Sequence, residues 1–153
     1  NRMTTPDYKV IKAKKEHIKE LQYFVNTMIK NADMVFPPIN MMKASRYIVK
    51  MIEDETILCL VHDKKVVGSV CGLINQWWFS DTKLLDEMGF WIEKEHRSIE
   101  TATMLLKGFK KIADKNLVPC MLNTLDGRDI PLREKLFSDC GFRKVGFKHG
   151  YGL

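Results

Sequence analysis

Asp86-Glu87-Met88-Gly89-Phe90-Trp91-Ile92-Glu93-Lys94-Glu95-His96-Arg97-Ser98 links an apolar run, Leu84 to Ile92, to the clearest helical pattern in the chain. That pattern, Ser98 to Asp114, sets Ile99, Ala102, Leu105, Leu106, Phe109, Ile112 and Ala113 on one face. Ser98 is a suitable N-cap. The stretch therefore predicts a strand, a short polar turn and a long helix. The turn and first helical residues carry several N–H groups with no intrahelical acceptor. With the helix dipole they suit an anion such as a phosphate, and Arg97 adds a charge that persists at physiological pH. The alternative is an ordinary strand–helix junction with an exposed arginine.

Upstream, Tyr8 to Ala13 alternates weakly and reads as a first strand. Ile18, Leu21, Phe24, Val25, Met28 and Ile29 fall at helical spacing, and Phe36-Pro37-Pro38 breaks the pattern. A second helix runs from about Asn40 to Glu53. Thr56 to His62 and Val66 to Ile74 flank the tight turn Asp63-Lys64-Lys65 and predict a hairpin. Gln76 to Lys83 reads as a loop or hairpin end. Downstream of the long helix come a buried strand, Val118 to Thr124, and a short helix, Ile130 to Ser138, with Pro131 in its first turn. Gly141 ends that helix, and Phe142 to Phe147 starts a last strand. The order β-α-α-β-β-β-α-β-α-β predicts an α/β fold, a mixed β-sheet with helices on both faces. With 153 residues and no linker or repeat, the sequence reads as one domain, 1-153.

Composition narrows the function classes. The hydrophobic share of 45% and charged share of 29% are those of a soluble globular protein. No run approaches the ~18 apolar residues of a membrane span. The polar stretch Asn1 to Lys12 does not read as a signal peptide. Cys59, Cys71, Cys120 and Cys140 are far apart, mostly in apolar runs, and read as small buried hydrophobes. That usage implies a reducing, cytoplasmic setting. The net charge of +6 comes from scattered lysines, read as solvated helix faces. A modest positive field still favours an anionic partner, nucleic acid or a phosphate-bearing cofactor. No recognition-helix, RNP or finger pattern supports nucleic acid. His17, His62, His96 and His149 lack metal-ligand spacing, so no metal is expected.

The run Glu87-Met-Gly-Phe-Trp-Ile-Glu-Lys-Glu-His-Arg97 resembles, without a gap, the fourth strand and following turn of the GNAT N-acetyltransferases. There an apolar strand enters a P-E-Y-R-like turn and continues as R/Q-x-x-G-x-G/A. The match here is Arg97-Ser98-Ile99-Glu100-Thr101-Ala102, with Glu100 in place of the first glycine. His96-Arg97-Ser98 and Ala102 ahead of Leu105-Leu106 look like a divergent, often phage-encoded subgroup. Leu132-Arg-Glu-Lys-Leu-Phe-Ser-Asp-Cys-Gly-Phe-Arg-Lys-Val-Gly146 looks like the family's Y-E-K-L-G-F-x-x-V-G ending. Lys65-Val66-Val67-Gly68 resembles its second and third strands. The likeness covers nearly the whole chain in order.

The resemblance implies an acyltransferase that moves an acetyl group from acetyl-CoA, its cosubstrate, directly to a primary amine. The implied cofactor-binding residues are Trp91 and Ile92, along the pantetheine arm, and Arg97, Ser98, Ile99, Glu100, Thr101 and Ala102, around the pyrophosphate. An attacking amine must be neutral, so a base near it is useful. Family bases often lie on the strand matching Leu84 to Ile92, where Glu87 and Asp86 are the candidate catalytic residues. Neighbours on a strand point to opposite faces, so one of them is expected to face the acceptor, with Glu87 favoured. Phe36-Pro37-Pro38 lies where the family's acceptor loop falls. The Tyr that serves many members as acid for the thiolate is Phe137 here, and an Asn often found seven residues earlier is Ile130. Water or another donor such as Ser138 would have to serve. Trp77-Trp78-Phe79 reads as a substrate wall, a homodimer contact or core packing. The other readings are a coenzyme A-binding module without transfer and, from charge alone, a nucleic-acid binder.

Overall fold

The computed structural model describes residues 7–124 and 128–153. Its elements in chain order are β1 (Tyr8–Lys12), α1 (Ile18–Lys30), α2 (Met41–Glu53), β2 (Ile57–His62), β3 (Lys65–Gln76), β4 (Lys83–Ile92), α3 (Ile99–Lys115), β5 (Cys120–Met121) and α4 (Ile130–Asp139). The five strands form one sheet in the order β1-β2-β3-β4-β5. All pairs are antiparallel except β4–β5, which is parallel, so the sheet is mixed.

The sheet is covered on both faces, and β2 shows why its sequence is apolar throughout. Leu58 and Leu60 pack with Leu105, Phe109 and Ile112 of α3, while Ile57 and Cys59 pack with Leu21 and Phe24 of α1 and Ile48 and Met51 of α2. A strand buried on both faces loses polar alternation. The β2–β3 connection is a two-residue turn with Asp63 at φ 53° and Lys64 at φ 64°, the left-handed pair a tight hairpin needs. Asn40 caps α2 by accepting from the Lys43 N–H at 3.0 Å. Pro131 lies in the first turn of α4, and Gly141, at φ 92°, ends it.

One irregularity shapes the functional end of the sheet. β3 pairs Cys71 with Gly89 but Gly72 with Glu87, so Met88 is an extra residue on β4. Such a bulge bends and twists its strand. Gly72 is required opposite it, since a Cβ there would lie 2.7 Å from the Asp86 carbonyl oxygen and 2.9 Å from the Phe109 ring. β4 and β5 pair only at Leu85–Cys120 and Asp86–Met121, and past that point no ladder joins them.

Three expectations are corrected. The strand expected over Val118 to Thr124 is reduced to Cys120–Met121. Beyond it, Asn123 gives its backbone N–H to the Glu87 carboxylate instead of continuing the ladder. Phe142 to Phe147 forms no strand. The two-residue β5 offers little edge to pair with; Phe142 packs beside Phe137, at 6.4 Å between ring centroids, and Phe147 is exposed. Core packing does not account for Trp77-Trp78-Phe79 either. Trp78 is 94% and Phe79 66% exposed at the β3–β4 tip, and their rings meet edge-on at 5.4 Å.

Candidate active site

A cleft of about 430 Å³ opens where β4 and β5 part. The end of β4 (Phe90, Trp91, Ile92) forms one wall, and Leu132, Arg133 and Leu136 of α4 form the other. The start of α3 closes one end. There Ser98 accepts from the Thr101 N–H at 3.0 Å, and Thr101 Oγ1 accepts from the Ser98 N–H at 3.1 Å, a reciprocal cap. Thr101 Oγ1 also donates to the His96 carbonyl at 2.7 Å, which ties the turn to the helix. The cap leaves the Ile99 and Glu100 N–H groups with no acceptor among the described residues. These are orphan donors of the first helical turn, at the positive end of the dipole.

Cationic charge gathers at the same end. Arg97 Nε donates to the Ile92 carbonyl at 2.6 Å, and its guanidinium carbon lies 4.5 Å from the Trp91 ring centroid. The Arg128 guanidinium lies 4.9 Å from the same ring. Trp91, buried, donates from Nε1 to Glu93 Oε1 at 3.1 Å, which fixes its orientation. Partial burial lowers the Arg97 pKa from its usual value and the Arg128 charge adds to this, against Asp129, Glu93 and Glu95. Arg97 remains a cation. Two like charges crowded on one indole favour an anion beside them.

Of the residues expected around a cofactor, Trp91, Ile92, Arg97, Ser98, Ile99 and Ala102 all line this cleft. Thr101 is buried under the cap, and Glu100 is exposed; neither lines it.

A second cavity, of about 260 Å³, lies beside the bulge. Asp86 and Glu87 both line it, with Met28 of α1, Phe36 and Asn123. Both carboxylates lining one cavity departs from simple strand alternation: the bulge at Met88 interrupts it, and Asn123 engages both. Its N–H donates to Glu87 Oε1 at 3.0 Å, and its Nδ2 donates to Asp86 Oδ1 at 3.3 Å. Glu87 is 6% exposed. Burial pushes the neighbouring Cys71 thiol up, and the negative charge of Glu87 adds to that rise.

Phe137 and Ser138 line a different space, with Cys120 and Thr124. Neither lines the cleft or the second cavity. Residues the sequence did not single out complete the site: Asn123, Arg128 and Arg133. Asn123 follows an apolar run at a strand end, a signal that was available. The two arginines follow no pattern that marks them. Among the described residues no group of three or more His, Cys, Asp or Glu could hold a metal ion, and no helix is long and apolar enough to cross a membrane.

The sequence matches no family model and no curated protein. Solved structures do match the fold. AAC(6′)-Iy in complex with the bisubstrate analogue CoA-S-monomethyl-acetylneamine aligns with a TM-score of 0.71 and 10% identity, over 95% of this chain and 97% of that one. A predicted acetyltransferase with acetyl-CoA from Clostridium acetobutylicum aligns at 0.72 and 14% identity, over 95% and 96%. Naa50 of Arabidopsis thaliana, in complex with the bisubstrate analogue CoA-Ac-MVNAL, aligns at 0.68 and 12% identity, over 92% and 85%. At such identities the likeness is one of fold.

Proposed function

We propose that this chain, which has the fold of the GNAT acetyltransferases, is an N-acetyltransferase that uses acetyl-CoA as cosubstrate and a primary amine as acceptor. The observation that carries this reading is the meeting of two cavities at Phe90 and Arg133, just past the β4 bulge. One is an apolar cleft with a cationic, N–H-rich end, and the other is lined by two carboxylates. The cleft fits a long thioester with a phosphate at one end. Phosphates would rest against the Ile99 and Glu100 N–H groups with Arg97 and Arg128 beside them. The pantetheine arm would run along Phe90, Trp91 and Ile92, with backbone groups there polarising the thioester carbonyl. Glu100, exposed and outside the cleft, does not put its carboxylate among the phosphates.

On the acceptor side, Asp86 and Glu87 attract the amine as its ammonium. One carboxylate, here Glu87, then takes the proton that must leave before or during attack. The neutral nitrogen adds to the acetyl carbon, and the carbon–sulfur bond breaks. The bisubstrate analogues in two of the solved structures that resemble this chain are CoA-S-monomethyl-acetylneamine and CoA-Ac-MVNAL, and the acceptor here is left as the amine class. The free cysteines fit a cytoplasmic setting.

A second reading has one observation in its favour. Phe137 stands where a proton donor would be expected, which suits a module that binds coenzyme A without transfer. An amine panel with acetyl-CoA separates the two by thiol release. Release that depends on an amine supports the transferase. Coenzyme A binding with no release from any amine supports the binding module.

A further inference from the structure

Among the described residues, the cleft and the acceptor cavity have two lining residues in common, Phe90 and Arg133. These two residues therefore border both spaces. Phe90 is apolar, so Arg133 brings the charge to that junction. It is held there from two sides: Nη1 donates to the Arg128 carbonyl at 3.0 Å and Nη2 to the Asn123 carbonyl at 3.1 Å. These bonds fix the guanidinium plane and connect it, through Asn123, to Asp86 and Glu87. Arg97 and Arg128 lie at the other end of the cleft, on Trp91.

Bond cleavage leaves an electron pair on sulfur. Phe137 has no proton to offer, and Ser138 lines a separate cavity. We infer that Arg133 stabilises the departing coenzyme A thiolate by charge, in place of a proton donor; this rests on the transferase reading above. A guanidinium does not give up a proton at neutral pH, so its action is electrostatic. The step balances without an acid. The nitrogen–carbon bond forms, the carbon–sulfur bond breaks with its pair on sulfur, and the thiolate pairs with Arg133. Glu87, having passed the ammonium proton on to solvent, takes the proton of the acetylated nitrogen, and solvent later re-equilibrates both groups. A partly buried cation beside a thiolate has a large effect because little water screens it. Among the described residues, the other charged groups lining the two cavities are Asp86 and Glu87 on β4, Arg97 before α3, Arg128 and Asp129 ahead of α4, and Lys148 after it.

The test is the thiolate absorbance of bound coenzyme A, titrated against pH in the wild type, Arg133→Gln and Arg133→Lys. Binding of desulfo-coenzyme A, which lacks the sulfur, serves as the control for structure. The wild type is expected to hold roughly tenfold more thiolate at neutral pH than free coenzyme A does. Arg133→Gln loses that excess, Arg133→Lys keeps most of it, and desulfo-coenzyme A binds all three alike. With an active acceptor, Arg133→Gln lowers kcat by about 10²-fold with KM little changed, the size of one lost charge-stabilising donor. Thiolate fractions that are equal in the wild type and both variants, with binding intact, overturn the inference and leave the transferase reading standing. Failure of the wild type to bind either coenzyme A or its desulfo form removes the transferase reading, and the inference with it. If Arg133→Gln does not fold, the comparison of wild type with Arg133→Lys and with free coenzyme A decides it, since a wild-type thiol that titrates like the free one is contradiction enough.

Discussion

Asn123 holds Glu87 at two points: its backbone N–H donates to Glu87 Oε1 at 3.0 Å, and its Nδ2 donates to the Glu87 carbonyl at 2.6 Å. The end of β5 is thereby pinned to β4 by side-chain chemistry where the ladder between the strands stops. The same contacts hold a buried carboxylate against the second cavity. Fold and site therefore depend on one residue pair.

The base assignment is checked by Glu87→Gln. The amide keeps an oxygen for the Asn123 N–H, so folding is expected to survive while basicity is lost. kcat/KM should fall ~10²–10⁴-fold near neutral pH. The deficit should shrink at high pH, where the amine is already neutral. Asp86→Asn, which keeps an acceptor for Asn123 Nδ2, should lose less. Full activity of both variants across the pH range means that solvent or the acceptor itself removes the proton.

Arg97→Ala should weaken coenzyme A binding by roughly 1.5–3 kcal/mol, the cost of a lost charge-assisted contact. Its bond to the Ile92 carbonyl also goes, so the melting temperature should fall, by less than the binding energy does. Arg128→Ala should act in the same direction. Calorimetry showing unchanged affinity in both variants would place the phosphates elsewhere.

The bulge register is tested by stability. Gly72→Ala puts a Cβ 2.7 Å from the Asp86 carbonyl oxygen, which only backbone movement relieves. About 1–3 kcal/mol should be lost on denaturant unfolding. Gly89→Ala meets Cys71 Sγ at 3.3 Å and the end of the flexible Met28 side chain at 3.4 Å, and should cost less. Equal losses would mean that the pairing of Gly72 with Glu87 is wrong.

The cysteines give a pH dependence. Burial, with the charge of Glu20 adding to it, pushes the Cys59 thiol up to about 12, and burial likewise raises Cys71 and Cys120. A raised pKa favours the neutral thiol in the folded state. The resulting stability is complete below the ordinary thiol pKa, ~8.5, and is lost as pH rises toward the folded values. Unfolding free energy should therefore decline between about pH 9 and 12, and less so in Cys59→Ala after allowance for its lower baseline. Thiol reagents should label native Cys59 far more slowly than the unfolded chain. Rapid native labelling would contradict its burial.

Much of this architecture was legible because its elements carry local signals. The α3 face, the Ser98 cap and the Asp63-Lys64 turn depend on neighbours in sequence. The cationic, N–H-rich end of the cleft could be read for the same reason, since a cap and an arginine are adjacent there. Other features depend on distant residues. The bulge at Met88 lies opposite Gly72, whose missing Cβ leaves room for Phe109, and is invisible to a strand pattern. It is also why Asp86 and Glu87 share one cavity, against simple alternation. Val118 to Thr124 has the composition of a strand, but Asn123 leaves the ladder for Glu87. Phe142 to Phe147 has it too, yet the two-residue β5 offers little edge. Arg133 could not be found by motif, because its importance lies in where two cavities meet.

The central claim is that the cleft from Trp91 to Ala102 holds acetyl-CoA. Isothermal titration of acetyl-CoA into the protein, paired with thermal unfolding, tests it most directly. Saturable binding with one site per chain is expected, and at ~100 times the dissociation constant the ligand should add about 2.7 kcal/mol of stability and raise the melting temperature. No heat of binding and no thermal shift at ligand concentrations in the millimolar range, typical of weak sites, would contradict both the transferase and the binding module.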